Sequence, residues 1–242
     1  MATEVLLPER DHPIHPGSPI AARWLGRIGY RDAHALQKEL VAERVAERIS
    51  DQLLLLEHPP VLTLGRNSDP AHILASEDEL GRRGIEVIQV ERGGEVTYHG
   101  PGQLVAYPII ALARRGILIR PFVRALEAAL IETCGALGVV AARRDGHPGC
   151  WCDPESSRPR KIGALGLRVE HGITYHGIAL NVTVDLGDFD LIDPCGMPGV
   201  ESTSIAAELG TAVLPSTESV ERAAGLFARA FAAVISSPLE GI

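Results

Sequence analysis

Cys195 is the first residue whose setting suggests chemistry. It stands in "DLIDPCGMPGVESTSI", residues 190–205, between Pro194 and Gly196, with Pro198-Gly199 close behind. Proline and glycine on both sides exclude a helix or a continuous strand, so the thiol belongs to a constrained turn. A thiol mounted this way is either a small buried hydrophobe or a nucleophile, and the segment alone leaves both readings open.

Lys161, in "RPRKIGALGLR", is the second candidate. Arg158 and Arg160 beside it suit a solvated basic corner. On a strand, however, Lys161 would share a face with Gly163 and Leu165, which would draw its ammonium into a partly buried place. The third is "ERGGEVTYHGPGQLVAYPII", which compresses Arg92, Gly93, Gly94, His99, Gly100, Pro101 and Gly102 into eleven residues. Glycines let a backbone approach a ligand and arginine adds charge, yet the same residues read more simply as two β-turns joining three strands. No Gly-Lys-Ser/Thr follows, so this is not a phosphate loop, and a strand follows rather than the helix of a dinucleotide fingerprint.

The histidines carry less. His171 falls at a turn and should be exposed, and His176 reads as a structural, hydrogen-bonded residue on a strand. His147, Cys150 and Cys152 lack zinc spacing and a fourth ligand, so no metal is expected.

Several elements must position these residues. Residues 20–30 read as a strand, and 31–50 as an amphipathic helix with Ala33, Leu36, Leu40, Val41, Val45 and Ile49 at helical spacing. "DQLLLLEHPPVLTLG" gives two strands split by Pro59-Pro60. Ser76 caps a short helix that Gly84 ends, and 85–91 alternate as a strand. Pro121 and Gly138 bracket a long helix. From Lys161 to Asp185 the period is two, a hairpin turning at His171-Gly172. "SIAAELG" and "ESVERAAGLFARAFAAVI" read as closing helices. The fold class is α+β: a single domain of mixed β-sheet with flanking helices. Residues 1–18 are expected to be a disordered N-terminal extension, 19–236 the single domain, and "SSPLEGI" a poorly ordered tail.

The chain has 242 residues, 45% of them hydrophobic, enough to bury a full core. A formal net charge of −8 argues against nucleic acid as a partner. No apolar run is long enough for a membrane span, and the N-terminus lacks the pattern of a signal peptide. Four cysteines without such a signal suggest free thiols and a cytoplasmic location. No heptad or exposed apolar stripe calls for a partner copy, so a monomer is expected.

Three segments in order, "RGGEVTYHGPGQLVAYP", "KIGALGLRV…GITYHGIALNV" and "LIDPCGMPGVESTSI", closely resemble the lipoyl(octanoyl) transferase family, which is related in fold to biotin and lipoate protein ligases. The likeness runs from about residue 20 to about 210. It implies transfer of an octanoyl group from octanoyl-acyl carrier protein to a lysine of lipoyl domains, those of 2-oxoacid dehydrogenase complexes and the glycine cleavage H protein. It implies an acyl-thioester on Cys195, with Lys161 as its catalytic partner. It also implies an acyl pocket lined by Arg92, Gly93, Gly94, Glu95, Val96, Thr97, Tyr98 and His99, by Ala164, Leu165 and Gly166, and by Gly177, Ile178 and Ala179. Gly163 stands where the family commonly has alanine. Trp151 carries over as a packing residue.

No metal, nucleotide or other cofactor is implied, because a thioester is already activated. The rival readings are an ATP-dependent lipoate or biotin ligase of the same fold, a cysteine-dependent acyl hydrolase, and a non-catalytic binding module. Docking of acidic carrier and lipoyl domains would need a local basic face, for which Arg114, Arg115, Arg120, Arg124, Arg143, Arg144, Arg158 and Arg160 are candidates.

Overall fold

"DQLLLLE" shows how the molecule is layered. This strand is buried along its whole length, because both faces of its sheet are covered. Leu53 and Leu55 face one core with the last long helix, while Leu54 and Leu56 face the first helix on the other side. The structure is a computed structural model and describes residues 18–193, 200–210 and 216–241. Cys195, and the expected extension up to residue 17, lie outside them.

In chain order the strands and helices are β1 Ile20–Arg27, α1 Tyr30–Val45, β2 Asp51–Glu57, β3 Val61–Leu64, α2 Glu77–Arg83, β4 Glu86–Gln89, β5 Val96–His99, β6 Gln103–Ile109, α3 Ile119–Ala136, β7 Ala142–Arg144, β8 His147–Cys152, β9 Arg160–Glu170, β10 Ile173–Asn181, β11 Glu201–Ser202, α4 Ile205–Glu208, α5 Thr217–Val234 and β12 Leu239–Glu240. Among the described residues they build a nine-stranded mixed sheet in the order β12-β1-β2-β6-β10-β9-β8-β7, with β11 added beside β9, and a three-stranded sheet β4-β3-β5. Pro59-Pro60 therefore does more than turn the chain: β2 and β3 belong to different sheets. On one face α3 and α5 pack through Phe122, Phe227 and Phe231; on the other α1 lies over β6 and β10. This is the expected α+β domain. No described helix is long and apolar enough to cross a membrane.

Local signals act where they were read. The Ser76 hydroxyl accepts from the Glu79 amide, and Gly84 ends α2 at φ 65°. His171 and Gly172 both take positive φ, 50° and 79°, as a tight hairpin turn between twisted strands demands. One expectation fails. The C-terminal tail is not loose: Leu239–Glu240 pairs in parallel with β1, and the Ile20 amide donates to the Pro238 carbonyl. The segment around "HPGCWC" is a sheet strand, with Cys150, Trp151 and Cys152 all buried.

Candidate active site

Lys161 lies near the start of β9, where three strands meet. Trp151 of β8 pairs with it on one side and Ser202 of β11 on the other, and the Thr203 amide donates to its carbonyl at 3.0 Å. The ammonium stands over the Trp151 ring, 5.2 Å from its centre. The indole is itself fixed by its N–H donating to the His147 carbonyl at 3.0 Å. Gly149 makes room for this: a Cβ there would lie 2.6 Å from the Gly163 carbonyl oxygen and 3.0 Å from the lysine Cε.

From Lys161 a cleft of about 890 Å³, counting its open part, runs between β5 of the small sheet and the β9–β10 hairpin. Arg92, Gly94, Glu95, Val96, Thr97 and His99 line one side; Ala164, Leu165, Gly166, Gly177, Ile178 and Ala179 line the other. Two expected wall residues sit elsewhere. The Tyr98 hydroxyl donates to Asp188 at 2.6 Å and its ring packs on Phe189, while Gly93 lines a neighbouring groove. Arg92 is a strut as well as a wall: its guanidinium donates to the Thr63 carbonyl at 2.7 Å and to the Thr63 hydroxyl. A Cβ at Gly163 would meet Cys150 Cβ at 3.1 Å and Leu130 at 3.3 Å, so alanine there would press on the core beneath the strand.

The end of the cleft away from Lys161 is polar, with tyrosines and histidines beside the Arg92 guanidinium. His58 donates from Nδ1 to the Ile28 carbonyl and accepts the Tyr107 hydroxyl at Nε2, both at 2.8 Å. A chain of hydrogen bonds leads from there back to the Lys161 end: His99 meets the Gln103 carbonyl oxygen at 2.7 Å, Gln103 donates to Asn181 at 2.9 Å, and Asn181 to the Thr203 carbonyl at 2.9 Å. Burial pushes His58 down to about 4 and His99 and His176 to about 3, so all three are neutral near pH 7. His176 has part of the structural role expected of it: its Nδ1 meets the Tyr30 hydroxyl at 3.4 Å and its amide donates to Gln37 at 2.7 Å. It is buried, lines the cleft at φ 54°, and its Nε2 has no hydrogen-bond partner among the described residues. Tyr30, His58, Tyr107, Gln103 and Asn181 had no signal in the sequence, since they converge from separate elements.

Donor atoms of His34, Glu91 and His176 lie within 4.8 Å of one another. His34 already meets Glu91 at 3.1 Å, and the Lys38 ammonium lies 3.9 Å from the same carboxylate, which repels a cation. Cys134, Cys150 and Cys152 are buried free thiols. The hydrogen bond to Cys134, then burial, pushes the Cys150 thiol up; burial raises Cys152 to about 12. Neither supplies a thiolate at neutral pH. Most of the expected docking arginines are already engaged: Arg114 pairs with Glu47, Arg115 with Asp51, Arg124 and Arg143 with Glu127, Arg158 with Glu201, and Arg160 with Glu208 and Asp153.

The profile of the lipoyl protein ligase A/B catalytic domain matches residues 29–231. The chain belongs to this family. Curated members are close in sequence: it is 49% identical over 216 residues to an octanoyltransferase of Acidobacterium capsulatum, covering 86% of this chain and 88% of that protein. It is 38% identical over 238 residues to an octanoyltransferase of Paraburkholderia xenovorans, covering 97% and 92%. The fold is shared with lipoate-protein ligase A bound with ATP, at TM-score 0.65 and 14% identity over 93% of this chain and 88% of that one. A lipoate protein ligase from Thermoplasma acidophilum matches at TM-score 0.65 and 15% identity, over 94% and 87%.

Proposed function

We propose that this member of the family is an octanoyltransferase that takes octanoate from octanoyl-acyl carrier protein onto Cys195 and passes it to a lysine ε-amine of lipoyl domains. The acceptors are those of 2-oxoacid dehydrogenase complexes and the glycine cleavage H protein, and a carrier-protein donor puts the reaction in the cytoplasm. The observation that carries this reading is the placement of Lys161. It stands at the mouth of a cleft with an aliphatic wall, beside β11, the strand that begins six residues after Cys195.

The chemistry needs a thiolate. A free cysteine with a pKa of about 8.5 is a few per cent ionised at pH 7, and an adjacent ammonium that lowers it by ~2 units, worth ~2.7 kcal/mol, makes the thiolate the main species. The Cys195 thiolate attacks the donor carbonyl carbon. The carbon–sulfur bond to the donor breaks, and the departing thiolate takes a proton from the Lys161 ammonium. Neutral Lys161 then accepts a proton from the incoming lysine amine as that nitrogen bonds to the same carbonyl. The Cys195 thiolate leaves, and the amide and the starting ion pair result. Leu165, Ile178 and the glycine-permitted backbone of the cleft suit an uncharged chain.

Intact-protein mass spectrometry after mixing with octanoyl-acyl carrier protein tests the reading. A single octanoyl adduct is expected, lost in Cys195→Ser and retained when Cys134, Cys150 or Cys152 is changed. Transfer that instead requires ATP and free octanoate would identify a ligase.

A further inference from the structure

Lys161 also opens onto a second cavity. A groove of about 1260 Å³, counting its open part, shares Gly94, Lys161, Leu165 and Gly166 with the acyl cleft and continues along β9 towards Val169. Its floor is aliphatic, from Leu165, Leu167 and Val169. The start of α3, whose first turn carries no acid, gives Ile119 and Val123 as a wall.

Its charge is unusual for this molecule. Arg66 and Arg168 line it, and neither forms an ion pair among the described residues, in contrast to the paired arginines named above. The Arg168 Nε is buried and has no hydrogen-bond partner among the described residues. A buried guanidinium N–H without an acceptor is costly, and a bound anion is the partner that offsets this best. Glu91, the one acid among the described lining residues, is occupied: it meets His34 at 3.1 Å and accepts the Tyr175 hydroxyl at 2.9 Å. A chain of net charge −8 thus keeps a basic, apolar-floored groove beside its candidate reaction point.

We infer that this groove binds the prosthetic arm of the donor thioester, with its phosphate on Arg66 and Arg168, its amide stem along Leu167 and Val169, and its sulfur at Lys161. The inference rests on the transferase reading above and names the donor's subsite within it. The dimensions agree. A phosphopantetheine arm has about thirteen bonds from sulfur to phosphorus, roughly 15 Å extended. Lys161 and Arg168 are seven residues apart on β9, about 24 Å between Cα atoms, and both side chains are long enough to shorten that span.

The test compares octanoyl-phosphopantetheine with octanoyl-pantetheine as free donors, with a lipoyl domain as acceptor. For the wild-type protein the donor lacking phosphate should have a KM at least tenfold higher, and the difference should shrink as salt is raised. Arg168→Gln and Arg66→Gln should raise KM for the phosphorylated donor towards that of the other, leave KM for the unphosphorylated donor within twofold, and keep kcat. Arg168→Lys should restore part of the loss.

Equal KM values for the two donors in the wild type would overturn the inference, and that comparison depends on no variant. So would an equal rise for both donors in the variants, or a rise confined to the lipoyl domain, which would assign the groove to the acceptor. Absence of transfer from both free donors, while octanoyl-acyl carrier protein still loads Cys195, would also overturn the inference; absence of transfer from octanoyl-acyl carrier protein itself would overturn the transferase reading, and this inference with it.

Discussion

Ser202 stands opposite Lys161 in the two-residue parallel ladder between β11 and β9, and the next amide, Thr203, donates to the Lys161 carbonyl. The lysine is therefore tied through its backbone to the chain that follows the Cys195 segment. Asn181 buttresses the same point by donating to the Thr203 carbonyl. Side-chain substitution at 161 should leave this scaffold in place and report on chemistry alone.

Lys161→Arg separates the two steps. Arginine keeps the positive charge and can stand over Trp151, and the departing donor thiolate can take its proton from water instead, so octanoyl adduct formation on Cys195 should stay within a few-fold of wild type. It cannot serve as a base at neutral pH, so discharge of the adduct to a lipoyl lysine should fall by about 100-fold or more. Single-turnover assays on isolated adduct measure this. Equal discharge rates would remove the proton-accepting role.

Gly149 is predicted to be intolerant of alanine. Its φ of 136° lies in a region that side chains avoid, and a Cβ would sit 2.6 Å from the Gly163 carbonyl oxygen. Strain of this kind costs ~1–3 kcal/mol, and relief would push on the Lys161 stem. Gly149→Ala should lower Tm by several degrees and leave activity reduced even far below the new Tm. A variant with wild-type Tm and activity would show that Gly149 does not shape the lysine's seat.

Acid should weaken the fold through its buried imidazoles. Burial depresses His58 to about 4 and His99 and His176 to about 3, whereas in the unfolded chain each takes a proton near pH 6.5. Below that value the unfolded state binds more protons, so stability is full above about pH 6.5 and declines towards the folded values. Each imidazole contributes a loss of about 2 kcal/mol by pH 5. Urea denaturation at pH 7.5, 6 and 5 should show a progressively lower midpoint. A flat profile would mean that these rings are not held neutral by burial.

Much of this architecture was legible because it rests on local rules. Ser76 and Gly84 bound α2, and His171-Gly172 turns the β9–β10 hairpin, since capping and positive φ are encoded by adjacent residues. The strand Leu239–Glu240 was not legible, because pairing with β1 over two hundred residues away leaves no mark on "SSPLEGI". Nor was β8: Cys150, Trp151 and Cys152 are consecutive and all buried, a pattern that neither alternation nor helical period detects. At the site, family resemblance supplied Lys161 and the cleft walls around Leu165 and Ile178. The tyrosines and histidines at the far end come from α1, the loop after β2, β5, β6 and β10. His176 looked structural because one residue on a strand gives no hint that its Nε2 is unmatched.

The acyl cleft itself can be tested by filling it. Ala164 lies on its wall and pairs across the hairpin with Ala179, which lies there too, so enlarging residue 164 narrows the channel that Leu165 and Ile178 flank. Ala164→Leu should displace the end of an octanoyl chain while leaving room for a shorter one. If two methylene groups lose their burial at about 0.8 kcal/mol each, the kcat/KM for octanoyl over hexanoyl donors should fall by roughly 15-fold relative to wild type. Paired assays with both donors, at a temperature where the variant is folded, read this ratio directly. A loss shared equally by the two chain lengths would point to a damaged strand, and an unchanged ratio would place the acyl chain outside this cleft.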